Sequence, residues 1–140
     1  MVHALKEIRR ALIPGGLLID LRPVASHWPV EVMAGAETFA AGQVQDLPAQ
    51  IADDAASEAA LAQAESAGWF IRESAGAFDL AYYWDTPDEM KTYVDEDWRD
   101  YIGLPDDVLA QARRMMAAHG AAARARVRLR MFVSRWRRGT

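Results

Sequence analysis

The segment near the carboxyl terminus alternates more regularly than any other part of the sequence, and it restricts how the chain can fold. In "ARARVRLRMFV", arginines alternate with apolar residues: Arg124, Arg126, Arg128 and Arg130 against Ala125, Val127, Leu129, Met131 and Val133. A period of two predicts a β-strand with one apolar and one cationic face. The apolar face needs a core, and the cationic face needs acidic partners, phosphates or water.

Acidic partners for these arginines are abundant in the middle of the chain. Residues 31–110 hold 18 of the 20 acidic side chains, whereas residues 111–140 hold nine arginines and no acid. We predict that the two blocks pair within the molecule, because long-range attraction favours compact pairing. Nucleic-acid binding by the arginine row is the alternative that we rank last, since no aromatic row interleaves for base stacking.

Length and composition indicate one domain, residues 1–140, with an ordinary core. No segment approaches the roughly 20 apolar residues of a membrane span, and the amino terminus carries charges where a signal peptide is apolar. The absence of cysteine excludes disulfides, thiol nucleophiles and thiolate metal sites. We therefore expect a cytoplasmic protein with no membrane association.

The hydrophobic pattern predicts alternating helices and strands. "LLIDL" (17–21) is apolar on both faces apart from Asp20, which is typical of a covered parallel strand. The capping box "TPDE" predicts a helix that begins at Thr86. The full set is a helix over 2–12, a strand over 17–21, a hairpin of 30–33 with 38–45, a helix capped by Asp53 or Asp54 that ends at Gly68, a strand over 78–85, a helix from Thr86 to about Gly103, a helix from Pro105 to Gly120, and the alternating last strand.

Residue types that carry catalysis do not form a recognisable pattern. His3, His27 and His119 lie far apart and lack metal-ligand spacing. The acidic pairs are interpreted as helix caps: Asp53-Asp54, Asp88-Glu89 and Asp106-Asp107. Gly15-Gly16 precedes a strand, whereas a nucleotide-binding loop follows one. We predict no catalytic, cofactor-binding or metal-binding residue within the chain.

One stretch nevertheless resembles a known family. "HALKEIRRALIPGGLLIDLRP" (3–23) is similar to the late segment of class I S-adenosylmethionine-dependent methyltransferases, in which a helix ending in Pro-Gly-Gly leads into the fifth strand. "FDLAYYWDTPDEMKTYVDEDW" resembles the sixth strand and its helix, and "ARVRLRMFVSRWRR" the seventh strand. The resemblance implies an α/β fold: a three-stranded, mixed 5-7-6-type sheet left from a Rossmann-like fold, with packed helices and an added β-hairpin.

The resemblance also implies what these residues lack. In this family the glycine-rich loop and the ribose-binding acid come earlier in the sequence than the helix that corresponds to residues 2–12. The resemblance therefore implies that residues 1–140 would not bind S-adenosylmethionine unless a missing half were supplied. An in-frame glycine-rich sequence upstream of Met1 would mean that the true start lies earlier. The missing fourth strand would leave one edge of Leu17–Leu21 unpaired. We expect this edge to form a homodimer or to bind a partner polypeptide.

The family likeness places the acceptor pocket just after its fifth strand and along its sixth. The residues that it implies as substrate-pocket candidates are Arg22, His27, Trp28, Tyr82, Tyr83 and Trp84. Aromatic walls could orient a flat or amine acceptor, with His27 taking a proton; the alternative is core packing of the aromatics and a solvent-facing His27. The expected function is the substrate-side half of a split methyltransferase, inactive alone. The alternative is a non-catalytic homodimeric module that binds a partner or a small ligand.

Overall fold

A computed structural model describes all 140 residues. Four helices and seven strands make the fold α+β. In chain order they are α1 (Val2–Ala11), β1 (Leu17–Pro23), β2 (Pro29–Ala34), β3 (Glu37–Gln43), β4 (Gln45–Asp46), α2 (Pro48–Ser66), β5 (Phe70–Trp84), α3 (Pro87–Asp97), β6 (Ile102–Gly103), α4 (Asp106–His119) and β7 (Arg124–Arg138). None of the four helices combines the length and apolar character that crossing a bilayer requires.

The main sheet is antiparallel and has five strands. Its order is β1-β7-β2-β3, and β5 also pairs with β7; a second sheet joins only β4 and β6. The expected three-stranded mixed sheet of a Rossmann-like remnant is therefore not supported. The difference follows from the length of β7, because its 15 residues accept β2 at Arg124–Val127 as well as β1 at Met131–Arg137. The predicted hairpin, β2 with β3, is confirmed and joins the sheet through β7.

β1 differs from the covered parallel strand that its composition predicts. It runs antiparallel to β7, from Leu17 opposite Arg137 to Pro23 opposite Met131. Its residues alternate in burial, so that Leu17, Ile19 and Leu21 are exposed. β7 is its only neighbour in the sheet, which leaves the other edge of β1 unpaired.

The contacts of the chain form two compact units, and β5 and β7 contribute residues to each. The first unit comprises Met1–Val24, Ala52–Phe78 and Met131–Thr140. Its core is built by α1, α2, the start of β5 and the end of β7, from Leu5, Ala60, Leu61, Ala64, Phe70 and Trp136. The apolar side of α1 faces this core, since Val2, Ile8 and Leu12 pack beside Leu5.

The second unit comprises Ala25–Ile51 and Asp79–Arg130. Here α4 packs on the hairpin of β2 and β3. The core includes apolar side chains from the hairpin, α3, α4 and the first half of β7: Val30, Val32, Met90, Val94, Val108, Leu109, Ala112, Ala125, Val127 and Leu129. The predicted apolar face of β7 is thus buried from Ala125 to Met131, whereas further along the strand Ser134 and Trp136 are the buried residues.

Helix starts were predicted with mixed success. The capping box at Thr86 is confirmed: Thr86 Oγ1 accepts from the Glu89 N–H at 3.1 Å, and the Glu89 carboxylate accepts from the Thr86 N–H at 3.2 Å. α2, in contrast, begins at Pro48, so Asp53 and Asp54 lie within the helix and the prediction that they cap it is wrong. Proline is favoured at a first helical position, because its missing N–H would be unpaired there anyway.

Candidate functional site

The arginine row of β7 is neutralised within the second unit. The Glu31 carboxylate on β2 accepts hydrogen bonds from Arg126 (Nε–Oε2 2.8 Å) and Arg128 (Nη2–Oε1 3.0 Å). The Asp79 carboxylate on β5 accepts hydrogen bonds from Arg128 at 3.0 Å and from Arg130 at 3.1 Å. Hydrogen bonds from Arg130, and then from Arg128, hold the pKa of the Asp79 carboxyl below its ordinary value. The predicted pairing of the two charge blocks is confirmed, and these arginines are not free to track phosphates.

The first unit repeats this arrangement at the other end of β7. Glu73 on β5 accepts from Arg135 (Nε–Oε2 2.8 Å) and from Arg137. The hydrogen bond from Arg137, together with the charges of both arginines, lowers the pKa of the Glu73 carboxyl. The ion pairs are partly exposed, so they order the surface of the sheet and add little stability individually.

Five aromatic side chains of the second unit form one cluster, and three of them are predicted pocket residues. The aromatic cluster consists of Trp28, Tyr82, Trp84, Tyr93 and Trp98. The Trp98 ring is its centre: it meets each of the other four edge-on, with centroid distances of 5.1 to 6.0 Å. Edge-to-face contacts of this kind stabilise by about 0.5–1.5 kcal/mol per pair beyond the buried area. Core packing therefore accounts for much of the cluster.

Two members of the aromatic cluster also border a shallow acidic cleft. Trp84 and Tyr93 line a cavity of about 380 Å³ together with Asp88, Glu89, Glu96 and Asp97. Burial, and then the nearby Tyr82 and Asp97, raise the pKa of the Tyr93 hydroxyl, which keeps it protonated as a hydrogen-bond donor. Aromatic faces beside carboxylates attract cations. Of the four carboxylates, Asp88 already pairs with Arg113 and Glu89 belongs to the capping box, whereas no ion pair engages Glu96 or Asp97.

Tyr83 lies apart from the aromatic cluster, on the arginine row. Arg124 and Arg126 stand over its ring at 5.7 and 5.9 Å, and Arg126 donates to its hydroxyl at 3.5 Å. Burial opposes the charge of Arg126, but the hydrogen bonds to Tyr83 and Glu31 outweigh it and raise the guanidinium pKa. Alternation along β5 explains the separation, since Tyr82 and Trp84 point to the face opposite Tyr83.

The two remaining predicted pocket residues are held by carboxylates. Arg22, in the first unit, donates to Asp20 at 3.3 Å and to the carbonyl of Asp54, and it lies over the Phe132 ring. His27, in the second unit, has a positive φ of 49°. Its N–H donates to Asp46 Oδ2 at 2.9 Å, and its imidazole Nδ1 lies 3.6 Å from the same oxygen. The His27 ring is exposed.

Tyr93 and Trp98 were not among the predicted pocket residues, although they complete the aromatic cluster. Their signal was visible in the sequence: with Met90 and Val94 they form one helical face after the aromatic strand. Periodicity cannot separate a core face from the wall of a cleft, because both exclude water from one side of the helix.

The unpaired edge of β1 adjoins an apolar groove in the first unit. The groove has a volume of about 240 Å³, and residues of α1, β1 and α2 line it, among them Ala4, Ile8, Leu18, Leu21 and Leu61. The exposed row Leu17, Ile19 and Leu21 continues along the strand. An apolar strand with a free edge is a template for pairing with another strand.

The residues present do not fit S-adenosylmethionine. None of the three strands that precede a helix ends in a glycine-rich loop: β4 leads to α2 through Leu47, β5 to α3 through Asp85-Thr86, and β6 to α4 through Leu104-Pro105. Backbone N–H groups freed by glycines are what normally hold a nucleotide at a helix start. No three His, Cys, Asp or Glu side chains are placed to hold a metal ion either.

Comparison with known proteins adds no family. No protein-family model, no curated protein and no solved structure matches this chain.

Proposed function

We propose that residues 1–140 function as one part of a larger unit that is completed by a strand docked at the free edge of β1. In its more specific form, the proposal is that the chain is the substrate-side half of a methyltransferase-like protein. The methyl donor would then bind to another polypeptide segment, and residues 1–140 would position the methyl acceptor. The chain alone would neither bind S-adenosylmethionine nor transfer methyl groups.

The observation that carries the proposal is the edge of β1. Leu17, Ile19 and Leu21 are exposed on a strand that has a neighbour on one side only, and an apolar groove runs beside it. Soluble proteins normally blunt such an edge with charge, proline or a covering element. The one charged residue within 17–21, Asp20, bonds to Arg22 and Ser134 and lies on the other face.

A surface that suits a methyl acceptor supports the more specific form. The acidic cleft beside Trp84 and Tyr93 adds a surface for a cationic acceptor in the second unit.

Calorimetric titration of the purified chain with S-adenosylmethionine tests the first half of the proposal. We expect no saturable heat at micromolar donor, because no glycine-rich loop follows a strand. Micromolar affinity of the isolated chain would overturn the proposal.

Complementation tests the second half. A methyltransferase fragment that ends after its fourth strand is mixed with the chain, and donor binding and complex mass are measured. We expect a complex that Ile19→Lys abolishes, because a lysine at the centre of the docked edge would be desolvated. Ile51→Lys is the matched control, since Ile51 and Ile19 are both 54% exposed and Ile51 lies on α2.

The second candidate function is a non-catalytic homodimer. The same row favours it, because a two-fold axis at Ile19 would place Leu17 of each copy against Leu21 of the other. It predicts a stable dimer of the chain alone and no donor binding in any mixture, whereas the split enzyme predicts donor binding once the other half is present.

A further inference from the structure

A cluster of cations in the first unit has no acidic partners. Lys6, Arg9 and Arg10 lie on one face of α1, and Arg138 at the end of β7 and Trp69 complete a cavity of about 400 Å³. Arg10 pairs with Glu7, but no carboxylate lies within ion-pair distance of Lys6, Arg9 or Arg138. Arg138 is an exception on β7, because every other arginine of that strand is paired with Asp or Glu.

Backbone hydrogen bonds hold Arg138 and Trp69 in place. The Arg138 N–H donates to the Gly16 carbonyl at 2.8 Å, and the next residue, Gly139, donates to the Trp69 carbonyl at 2.9 Å. Trp69 in turn donates to Ala64 at the end of α2, again at 2.9 Å. The cavity wall is therefore formed by the ends of three elements, and its shape does not depend on side chains alone.

Two N–H donors that belong to residues lining the cavity are buried without an acceptor. They are the Nε groups of Arg9 and Arg138. Buried donors are nearly always paired, so an unpaired one requires an explanation. Helix capping accounts for only one donor of the cluster, because Arg138 Nη1 donates to the Leu12 carbonyl at the end of α1. The Nε groups of Arg138 and Arg9 still lack an acceptor, and Lys6 still lacks a carboxylate partner.

The geometry points to an anion site, and we propose that this cavity binds the phosphate group of a small phosphate monoester. Guanidinium groups bind phosphate oxygens through two parallel N–H donors, and Nε is one of the donors in that fork. Three unpaired cations match a dianion better than a monocarboxylate. The cavity also exceeds what a phosphate alone fills, and Trp69 offers an apolar wall to the organic part.

Lys6 is placed to complete the site. Its ammonium stands 5.3 Å from the centre of the Trp69 ring, a position in which the ring attracts the cation without neutralising it. Lys6 itself is exposed, so replacing it tests the site with little risk to folding.

Calorimetric titration with inorganic phosphate and with phenyl phosphate tests the proposal, with phenol as the unphosphorylated control. We expect one site per chain, tighter binding of phenyl phosphate than of phosphate, and no binding of phenol. Lys6→Gln and Arg9→Gln should each weaken binding at least fivefold, while Arg113→Gln, an exposed ion-paired arginine on α4, should leave it unchanged.

Tryptophan fluorescence provides the second readout. Phenyl phosphate should quench the protein, and Trp69→Phe should remove that quenching while the affinity measured by calorimetry changes less than in Lys6→Gln. Binding that is equally weakened in Arg113→Gln, or that has a stoichiometry well above one, would show attraction to the charged surface in general and would overturn the proposal. So would the absence of phosphate binding at low ionic strength.

Discussion

Glu31 lies opposite Arg126 in the register of β2 with β7, and its carboxylate accepts the guanidinium Nε at 2.8 Å while only 9% of the glutamate side chain is exposed. This pair joins the acidic middle of the sequence to its basic end. It also explains how a charged residue can occupy the centre of a buried strand between Val30 and Val32. A buried carboxylate is tolerated when it is both paired and hydrogen-bonded.

Glu31→Gln should therefore destabilise the protein. The amide keeps the shape of the side chain but leaves Arg126 without a counter-charge, and charged hydrogen bonds contribute about 1.5–3 kcal/mol. We expect a loss of about 2 kcal/mol in the free energy of unfolding, measured by urea denaturation. Glu37→Gln, at an exposed position of β3, is the matched control; an equal loss there would contradict the special role of Glu31.

Asp79 should make stability depend on pH. Its pKa is held below the ordinary value of 3.8, first by the hydrogen bond from Arg130. The folded state therefore binds the proton less readily than the unfolded state, so the stabilisation is present above the ordinary value and is lost as pH falls through the lowered one. Asp79→Asn should be less stable than wild type at pH 7, and the difference should shrink below about pH 4.

The readout for Asp79 is the urea midpoint between pH 3 and pH 7. Asp100→Asn, at an exposed position with no arginine of β7 beside it, should follow the wild-type profile throughout. A difference between wild type and Asp79→Asn that stays constant down to pH 3 would rule out the ion pairs as its cause.

Local rules allowed part of this fold to be predicted. The capping box at Thr86, the hairpin of β2 and β3 and the alternation of β7 depend on neighbouring residues, and all three are confirmed. The start of β5 was missed by eight residues. After Phe70 and Ile71, the residues from Arg72 to Ala77 are charged or small and include Gly76, and they form a strand because β7 pairs with β5. That is a non-local cause, which no window of sequence contains.

The candidate site was harder to predict for the same reason. Of the six predicted residues, Trp28, Tyr82 and Trp84 come together, while Tyr83 turns onto the arginines. Lys6, Arg9 and Arg138 could not be recognised as a cluster, because Arg9 and Arg138 are 129 positions apart in the sequence and only the fold brings them to one cavity.

The capping box can be tested by comparing Thr86, the residue that caps α3, with Thr92 inside the helix. Thr86→Ala removes the oxygen that accepts the Glu89 N–H, which should lower the free energy of unfolding by about 1 kcal/mol. Thr92→Ala lies on an exposed position of the same helix and should change stability much less. Thermal unfolding followed by circular dichroism compares the two; equal midpoints would show that the box does not stabilise α3.

Gly42 allows α4 to approach β3. Its φ is 149°, and a Cβ at this position would lie 2.6 Å from Val108 Cγ2. Gly42→Ala should lower the free energy of unfolding by about 1–3 kcal/mol through strain and overpacking. Gly76→Ala, whose Cβ would have nothing within 4 Å, is the control.

A double variant separates the two causes at Gly42. If the clash with Val108 matters, Gly42→Ala with Val108→Ala should lose less stability than the sum of the two single variants. Strict additivity, measured by urea denaturation, would leave backbone strain as the only cause.

The edge of β1 yields the last prediction, because a purified chain has no other strand to accept and should pair β1 with a second copy. Antiparallel pairing centred on Ile19 places Leu17 against Leu21, whereas an axis at Asp20 would set two carboxylates directly opposite each other, which is destabilising.

The chain has no cysteine, so a single Ile19→Cys reports this register without interference. Mild oxidation should give a disulfide-linked dimer within a concentration range in which Ile51→Cys, at an equally exposed position, stays monomeric. Sedimentation of the wild type should show the dimer before oxidation, and Ile19→Lys should shift it to monomer. Equal cross-linking of the two cysteine variants would show that the disulfides form by random collision. A wild-type chain that stays monomeric at high concentration would contradict the pairing of β1 with a second copy.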